Sequence, residues 1–167
     1  VAGSLEGMVN GFEFAKAVVL YWKAYKEDEV PVGCVIVKDD KIIARGHNQK
    51  EKKNNAILHA EIVTLTKAQK KLNDWHLNDC TMYVTLEPCP MCLGAIKQAR
   101  IDKVYYGTDL LEAEEIGFRD DMIYEYIKGN NQDIIKLHHI ENEDALEVFK
   151  KFKKLEDKKI PKDIISP

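Results

Sequence analysis

The sequence predicts an α/β fold of the three-layer α/β/α sandwich type. After an opening hairpin, strand-like runs alternate with helical runs, which is typical of a sheet covered by helices on both faces. The chain has 167 residues and contains no internal repeat, low-complexity tract or Pro/Gly/Ser-rich linker. This length suits one hydrophobic core, so we expect a single domain over residues 8–160. Residues 1–7 show no periodicity and precede Met8, and we interpret them as a cloning remnant.

The first half of the chain predicts a helix, a hairpin and a second helix. Apolar residues recur at helical spacing over Phe12–Tyr25. The β-branched run Gly33–Val37 and the apolar run Lys41–Ala44 flank a polar turn at Asp39-Asp40, which is the pattern of a hairpin. After a polar loop, helical composition resumes over Ala60–Leu72.

The second half continues the alternation. The run Thr81–Leu86 predicts a strand, and Pro90 suits the first turn of a helix over Met91–Ala99. The remaining predicted elements are a strand over Lys103–Tyr106, a helix over Asp120–Lys128, a last strand over Ile134–Ile140 and a final helix over Glu141–Lys158. In that final helix the acids lie at the start and the lysines toward the end, which complements the helix dipole.

Composition excludes some classes of function. The formal net charge of −3 gives no support for binding a long nucleic acid. This overall charge does not exclude a local basic patch that contacts a nucleic acid. No apolar stretch is long enough to cross a bilayer and no targeting pattern is present, so we expect a cytoplasmic protein without a membrane partner. The chain has four cysteines, for which metal binding is favoured over disulfides. Cys34 and Cys80 lie in strand-like runs and are expected to be buried packing residues.

Two short motifs carry the chemistry. His59-Ala60-Glu61 opens one predicted helix, and Pro88-Cys89-Pro90-Met91-Cys92 opens another directly after a strand. An H-x-E motif followed by P-C-x-x-C is the signature of zinc deaminases. Cysteines at i and i+3 in a first helical turn point to one side, and a helix N-terminus favours the thiolate that zinc requires.

We therefore predict a Zn²⁺ ion held by His59, Cys89 and Cys92. Three protein ligands leave the fourth position open, as in catalytic sites, whereas structural sites usually have four. Zinc can lower the pKa of a bound water to about 7. A carboxylate can then carry the proton from water to substrate, and Glu61 is the candidate for this catalytic role. A structural zinc site with a fourth ligand elsewhere is the alternative, but no second ligand pair stands out in the sequence.

With these motifs, the chain resembles the purine-acting branch of the cytidine deaminase-like superfamily. The segments that resemble bacterial tRNA adenosine deaminases are Val30–Gly33, Gly46–Asn48, His59–Ile62 and Thr85–Cys89. The resemblance implies a mixed five-stranded sheet between helices, one zinc ion and a homodimer. It also implies that Asn48 and Ala60 bind substrate and that Asn48 contacts the purine ring. Without the resemblance, Asn48 is more simply a turn residue after the second strand.

The last third of the chain departs from the tRNA enzymes. The segment Ala113–Ile127 is similar to the Gly-Phe-Asp-Asp…Ile-Tyr segment of bacterial guanine deaminases, as is Pro90–Ile96. This resemblance implies that Asp120 holds guanine, although Arg119 replaces the first aspartate of the pair. The alternative for Asp120-Asp121 is a helix N-cap with a solvated acid.

In the guanine deaminase branch, the C-terminal segment covers the active site of the partner subunit. Phe149 and Phe152 would then act in a lid, while the plainer interpretation is a helix packed on its own sheet. The lysines of Lys150–Lys159 are most simply a solvated helix face, and contact with tRNA phosphates is the alternative.

The leading functional hypothesis is therefore hydrolytic deamination of guanine to xanthine, or of guanosine. The alternative is conversion of a tRNA wobble adenosine to inosine, in which the base must be extruded into the pocket. Deamination of cytosine or deoxycytidylate is a third hypothesis, and a non-enzymatic, zinc-stabilised interaction domain is a fourth.

Overall fold

The computed structural model describes residues 5–118 and 122–159, with side chains from Gly11 onward. The chain divides into two compact units, Val1–Asn131 and Gln132–Pro167. The single domain over residues 8–160 stays a prediction, as does the cloning remnant, of which Leu5–Gly7 are already helical. None of the described helices is long and apolar enough to cross a membrane.

The first unit is built on a mixed sheet of four described strands, β1 Gly33–Lys38, β2 Lys41–His47, β3 Cys80–Leu86 and β4 Lys103–Thr108. Their order in the sheet is β2-β1-β3-β4. β1 pairs antiparallel with β2 and β3, whereas β3 and β4 are parallel. Asp39 and Asp40 both have positive φ, 49° and 61°, which gives the primed turn that a two-residue hairpin requires. The predicted hairpin is therefore confirmed.

The prediction of a fifth strand over Ile134–Ile140 is wrong. The described sheet has four strands, and residues 134–140 join no ladder within the described part of the chain. Ile140 is 83% exposed, so the apolar side chains that suggested a strand are not buried in this chain. A strand is defined by hydrogen bonds to a neighbour, and a favourable composition cannot supply that neighbour.

The helices are α1 Leu5–Lys26, α2 Lys50–Lys53, α3 Ala60–Leu72, α4 Pro90–Gln98, α5 Leu110–Glu115, α6 Met122–Ile127 and α7 Glu143–Lys159. Most agree with the predicted helices to within a few residues, but α2 and α5 were not predicted. α5 has a sequence signal, because Asp109 and Glu112 form a reciprocal capping box. α2 has no comparable signal within its own segment, since its N-cap Gln49 makes no side-chain cap.

Two glycines show that helices cover both faces of the sheet. A Cβ on Gly33 would meet the backbone of α1 at Ala17, and a Cβ on Gly46 would meet Thr64 of α3. Gly46 lies opposite Cys34, the residue after Gly33, so the two glycines face opposite sides of the sheet. The α/β/α layering is thus confirmed within this unit, and both close approaches require glycine.

The main core fills the space between the sheet and the α3–α4 layer. Cys34 and Cys80 belong to this buried cluster, as predicted, together with Ile36, Met82 and Val84 from the same sheet face. Residues of α3 and α4 pack into this core. The core therefore fixes the N-termini of the two helices, where the His59–Glu61 and Pro88–Cys92 motifs lie.

Candidate active site

The predicted metal ligands come together at the N-termini of two helices. His59 is the N-cap of α3 and Cys89 is the N-cap of α4, whose first residue is Pro90. Cys92 follows in the first turn of α4. The His59 Nδ1 atom lies 3.7 Å from the Sγ atom of Cys89 and 3.7 Å from that of Cys92. The three ligand atoms all lie within 4.8 Å of one another.

This arrangement fits zinc. Zn–N and Zn–S bonds of ordinary length in a tetrahedron place the nitrogen and sulfur atoms about 3.6 Å apart. The two observed N···S distances of 3.7 Å agree with that value. Nitrogen and thiolate ligands are also the donors that zinc prefers. No fourth His, Cys, Asp or Glu joins the group among the described residues, which leaves a coordination position for a small molecule.

The thiols of Cys89 and Cys92 are coupled by a hydrogen bond. The hydrogen bond from Cys92 lowers the pKa of Cys89 to about 4, with a smaller contribution from His59, against the opposing effect of burial. The same hydrogen bond, with burial, raises the pKa of Cys92. Zinc binds cysteines as thiolates, so binding must displace any proton that the pair holds, and metal affinity should fall as the pH falls.

Glu61 lies beside the metal group, which is the set of candidate ligands His59, Cys89 and Cys92, and is not one of these ligands. The residue is 4% exposed and sits in the first turn of α3. Burial raises the pKa of its carboxyl to about 7, and the negative charge of Cys89 acts in the same direction. A buried carboxylate with a raised pKa, next to a metal group and a cavity, is typical of a functional site.

A cavity of about 190 Å³ opens over this group. Its wall includes His59, Ala60, Glu61, Cys89 and Asn48, so five of the predicted site residues share one cavity. Pockets for drug-sized ligands start at roughly 300 Å³, so this space suits a smaller molecule. Cys92 is fully buried beside the same ligand atoms.

Asp120 lies outside the described residues, and its contact with substrate stays a prediction. Arg119 and Asp121 lie outside them as well. The preceding residue, Phe118, lines the cavity, as does Leu110 at the start of α5. Sequence reasoning missed both cavity residues, although the Asp109 capping box could have located α5.

Glu87 is a second carboxylate in the cavity wall that the sequence reasoning did not single out. Its Oε2 accepts a hydrogen bond from the backbone N–H of Leu110 at 3.3 Å, and its own N–H donates to the carbonyl of Thr108 at 2.8 Å. Its side chain also hydrogen-bonds Tyr106 and raises the pKa of that phenol. Glu87 therefore ties the end of β3 to β4 and to the start of α5.

Asn48 has a role in the turn as well as a place in the cavity. It is buried, its N–H donates to the carbonyl of Val32 at 3.2 Å, and its Oδ1 accepts from the N–H of Lys50 at 2.9 Å. The turn role expected without the family resemblance is thus present. Contact with a purine ring stays a prediction.

Comparisons with known proteins agree with this geometry. The profile of the family described as "Cytidine and deoxycytidylate deaminase zinc-binding region" matches residues 12–108. The guanine deaminase of Bacillus subtilis is 40% identical over 130 residues, which cover 77% of this chain and 83% of that protein. The tRNA-specific adenosine deaminase of Streptococcus pyogenes is 52% identical over 86 residues. That match covers 52% of this chain and only about half of the relative, 54%.

A solved structure extends the similarity. The X-ray structure of guanine deaminase from Bacillus subtilis matches with a TM-score of 0.80 and 36% identity, covering 86% of this chain and 93% of that chain. The family profile spans more than half of the sequence, including both motifs and the three metal ligands. The chain therefore belongs to the cytidine and deoxycytidylate deaminase zinc-binding family.

Proposed function

We propose that the protein is a zinc-dependent hydrolytic deaminase that acts on guanine, or on guanosine. In this reaction guanine and water give xanthine and ammonia: a C–O bond forms at the carbon that bears the exocyclic amine, and the C–N bond breaks. The extent of the similarity carries the proposal. The match to guanine deaminase runs over 130 residues, whereas the match to the tRNA-specific enzyme stops after 86.

In this proposal His59, Cys89 and Cys92 hold the zinc ion. When bound there, zinc supplies Lewis acidity and favours deprotonation of a water at neutral pH. The N-cap positions of His59 and Cys89 fix two of the ligands on rigid helix starts. The partial positive charge at these helix N-termini helps to keep the cysteines as thiolates.

Glu61 is the proposed proton carrier. Its carboxylate accepts a proton from water and delivers it to the ring nitrogen, and a second transfer lets the amine leave as neutral ammonia. The placement of Glu61 in the cavity wall, outside the ligand group, supports this role. Its burial keeps bulk water from competing for the proton.

Three residues are proposed to hold the substrate. Asn48 contacts the purine ring from the cavity wall, and Ala60 forms the wall beside the metal ligand. Asp120 accepts hydrogen bonds from the ring N–H and amine of guanine, donors that a carboxylate can satisfy together. Support for Asp120 comes from its sequence position two residues after Phe118, which lines the cavity.

Ammonia release tests the proposal. Zinc-loaded protein is incubated separately with guanine, guanosine, adenine, adenosine, cytosine and an anticodon stem-loop RNA, with Glu61→Ala as the control. We expect turnover of guanine or guanosine that the variant lacks. Turnover of neither guanine nor guanosine would contradict the proposal, whichever other compound is deaminated.

Editing of a tRNA wobble adenosine is the second candidate. The 52% identity to the tRNA-specific enzyme over 86 residues favours it, and Val30–Gly33 and Gly46–Asn48 lie in the region of resemblance. The adenosine would have to be extruded from the loop into the cavity. Binding of the RNA would weaken steeply as the salt concentration rises, because the bound protein displaces cations from the RNA phosphates. In this second candidate function, the lysines of Lys150–Lys159 contribute phosphate contacts.

We also propose that the protein forms a homodimer. Phe149 is 73% exposed on α7 in the single chain, and Phe152 is exposed on the same helix. Apolar side chains of this size are usually covered in the functional assembly. Native mass spectrometry of the zinc-loaded protein should give twice the chain mass, and a monomer at micromolar concentration would contradict the proposal.

A further inference from the structure

The first turn of α2 is capped by a residue that lies far away in the sequence. Glu29 is 5% exposed, and its two carboxylate oxygens accept from two successive backbone N–H groups. Oε2 accepts from Glu51 at 3.1 Å and Oε1 accepts from Lys52 at 2.6 Å. The residue at the usual capping position, Gln49, makes no side-chain cap. Glu29 therefore replaces a local cap across 22 residues of sequence.

The first N–H of this turn, that of Lys50, is bonded to Asn48. The Lys50 N–H donates to Asn48 Oδ1 at 2.9 Å, so the amide oxygen points toward the helix start. An Asn side chain offers one carbonyl oxygen and one NH₂ group with two donors. With the oxygen directed to α2, the NH₂ group is the part left to act on the contents of the cavity, whose wall includes Asn48.

We propose that Glu29 is a positioning residue for substrate recognition, which rests on the proposed deaminase function. Glu29 holds α2, and α2 holds the Asn48 amide with its NH₂ group available as a donor. The substrate class that fits is a heterocycle that presents a ring nitrogen or carbonyl acceptor to Asn48. Recognition then depends on a buried acid that does not line the cavity.

The physical reason lies in the shortness of α2. A helix of four residues, Lys50–Lys53, cannot be stable by itself, because the nucleation cost exceeds what one turn returns. In Glu29→Gln, the amide offers one acceptor for two N–H groups, and its own NH₂ group faces a donor. A buried N–H that loses its partner is costly, so the turn should open and release Asn48.

The metal group should not depend on Glu29. His59 is held by α3, since its carbonyl accepts from the N–H of Val63 at 3.0 Å, and its side chain faces the two cysteines. Loss of the α2 cap should therefore change substrate binding and leave zinc content unchanged. A residue with only a general structural role would reduce both.

The experiment compares Glu29→Gln with wild type and with Glu13→Gln, all zinc-loaded. Glu13 is the matched control, because it is a buried acid, 8% exposed, on α1. We expect amide exchange at Lys50, Glu51 and Lys52 to accelerate at least tenfold in Glu29→Gln only. The side-chain ¹⁵N–¹H signals of Asn48 should shift or broaden, and zinc should stay at wild-type content.

Kinetics with guanine supply the second measurement. KM should rise about tenfold in Glu29→Gln, which corresponds to about 1.4 kcal/mol, while kcat changes less than twofold. Unchanged exchange and Asn48 signals would overturn the inference, and so would a fall in kcat at constant KM. If Glu29→Gln fails to fold, Glu29→Asp replaces it, and the same changes are expected at smaller size.

Failure of the proposed function is distinguishable from failure of this inference. If wild type deaminates none of the tested compounds, the proposed function is wrong, and exchange and the Asn48 signals still decide whether Glu29 holds Asn48. If guanine is deaminated and Glu29→Gln behaves as wild type in all measurements, only the positioning role is wrong.

Discussion

The metal region, which we define as residues 59–92, and the chain after Thr108 differ in how deeply their key side chains are buried. Glu61, Cys89 and Cys92 are buried at helix starts, fixed by the core behind them. Beyond Thr108, large apolar side chains such as Phe118 and Phe149 are exposed in the single chain. The buried region lies within residues 12–108, which the family profile matches, whereas the chain after Thr108 lies beyond them. That residues after Thr108 select the substrate stays a proposal.

The largest expected effect is loss of metal from the buried region. Cys92→Ser should reduce zinc from about one ion per chain to almost none and abolish turnover, since a hydroxyl is a poor substitute for a thiolate ligand. Unfolding temperature should fall too, because an ion that binds only the folded state stabilises it. Metal analysis and thermal melting check this. Cys80→Ser, which alters a buried cysteine of the core, should keep its zinc; zinc retained in Cys92→Ser would contradict the ligand assignment.

Glu61→Gln should separate chemistry from metal binding. The amide cannot carry the proton, so kcat should fall by about 10²–10⁴-fold, the usual contribution of general acid–base catalysis. Zinc content should stay at the wild-type level, because Glu61 is outside the ligand group. Glu115→Gln, an exposed acid on α5, is the control for charge. Turnover retained in Glu61→Gln would rule out the proton-carrier role of Glu61.

Asp120→Asn should change substrate preference without changing the metal region. Hydrogen bonds to a charged group contribute about 1.5–3 kcal/mol, so kcat/KM for guanine should fall about 10- to 100-fold. The adjacent Asp121→Asn is the matched control and should have little effect. Steady-state kinetics and metal analysis provide the readouts. An equal loss in both variants, or loss of zinc, would show that Asp120 does not hold guanine.

The smallest expected effect is on the pH dependence of stability, through the Glu27–His47 hydrogen bond just after α1. The Glu27 carboxylate accepts from His47 Nε2 at 2.9 Å, which lowers the pKa of Glu27 below its ordinary value of 4.5. A depressed carboxyl pKa contributes stability above the unfolded value, and this contribution is lost as the pH falls through the folded value. Glu27→Gln should therefore melt slightly below wild type at pH 7, with the gap in melting temperature narrowing as the pH falls below 4.5. A gap that is constant with pH would contradict this assignment.

The sequence predicts the structure correctly where a local residue pattern coincides with burial in the core. α3 occupies Ala60–Leu72 as predicted, and His59, Cys89 and Cys92 converge because each sits at or near a helix start. Helix periodicity, the proline at the first helical position and the i, i+3 spacing are all local signals. They needed no information from distant parts of the chain.

The failures share a dependence on distant partners. The sequence predicts a polar loop where α2 lies, because the cap of α2, Glu29, lies 22 residues earlier in the chain. The composition of residues 134–140 predicts a strand, yet no neighbour pairs with them in the described part of the chain. The sequence does not single out Glu87, because its hydrogen bonds to β4 and α5 form only in the folded structure.

The most direct test compares kcat/KM for guanine, guanosine and an anticodon stem-loop RNA with the same zinc-loaded preparation. Ammonia release is followed for all three, with Glu61→Gln in parallel. We expect guanine or guanosine to be turned over with kcat/KM at least about 100-fold above that of the RNA, a difference of roughly 3 kcal/mol in transition-state binding. Faster deamination of the stem-loop would contradict guanine deamination as the function and favour tRNA editing.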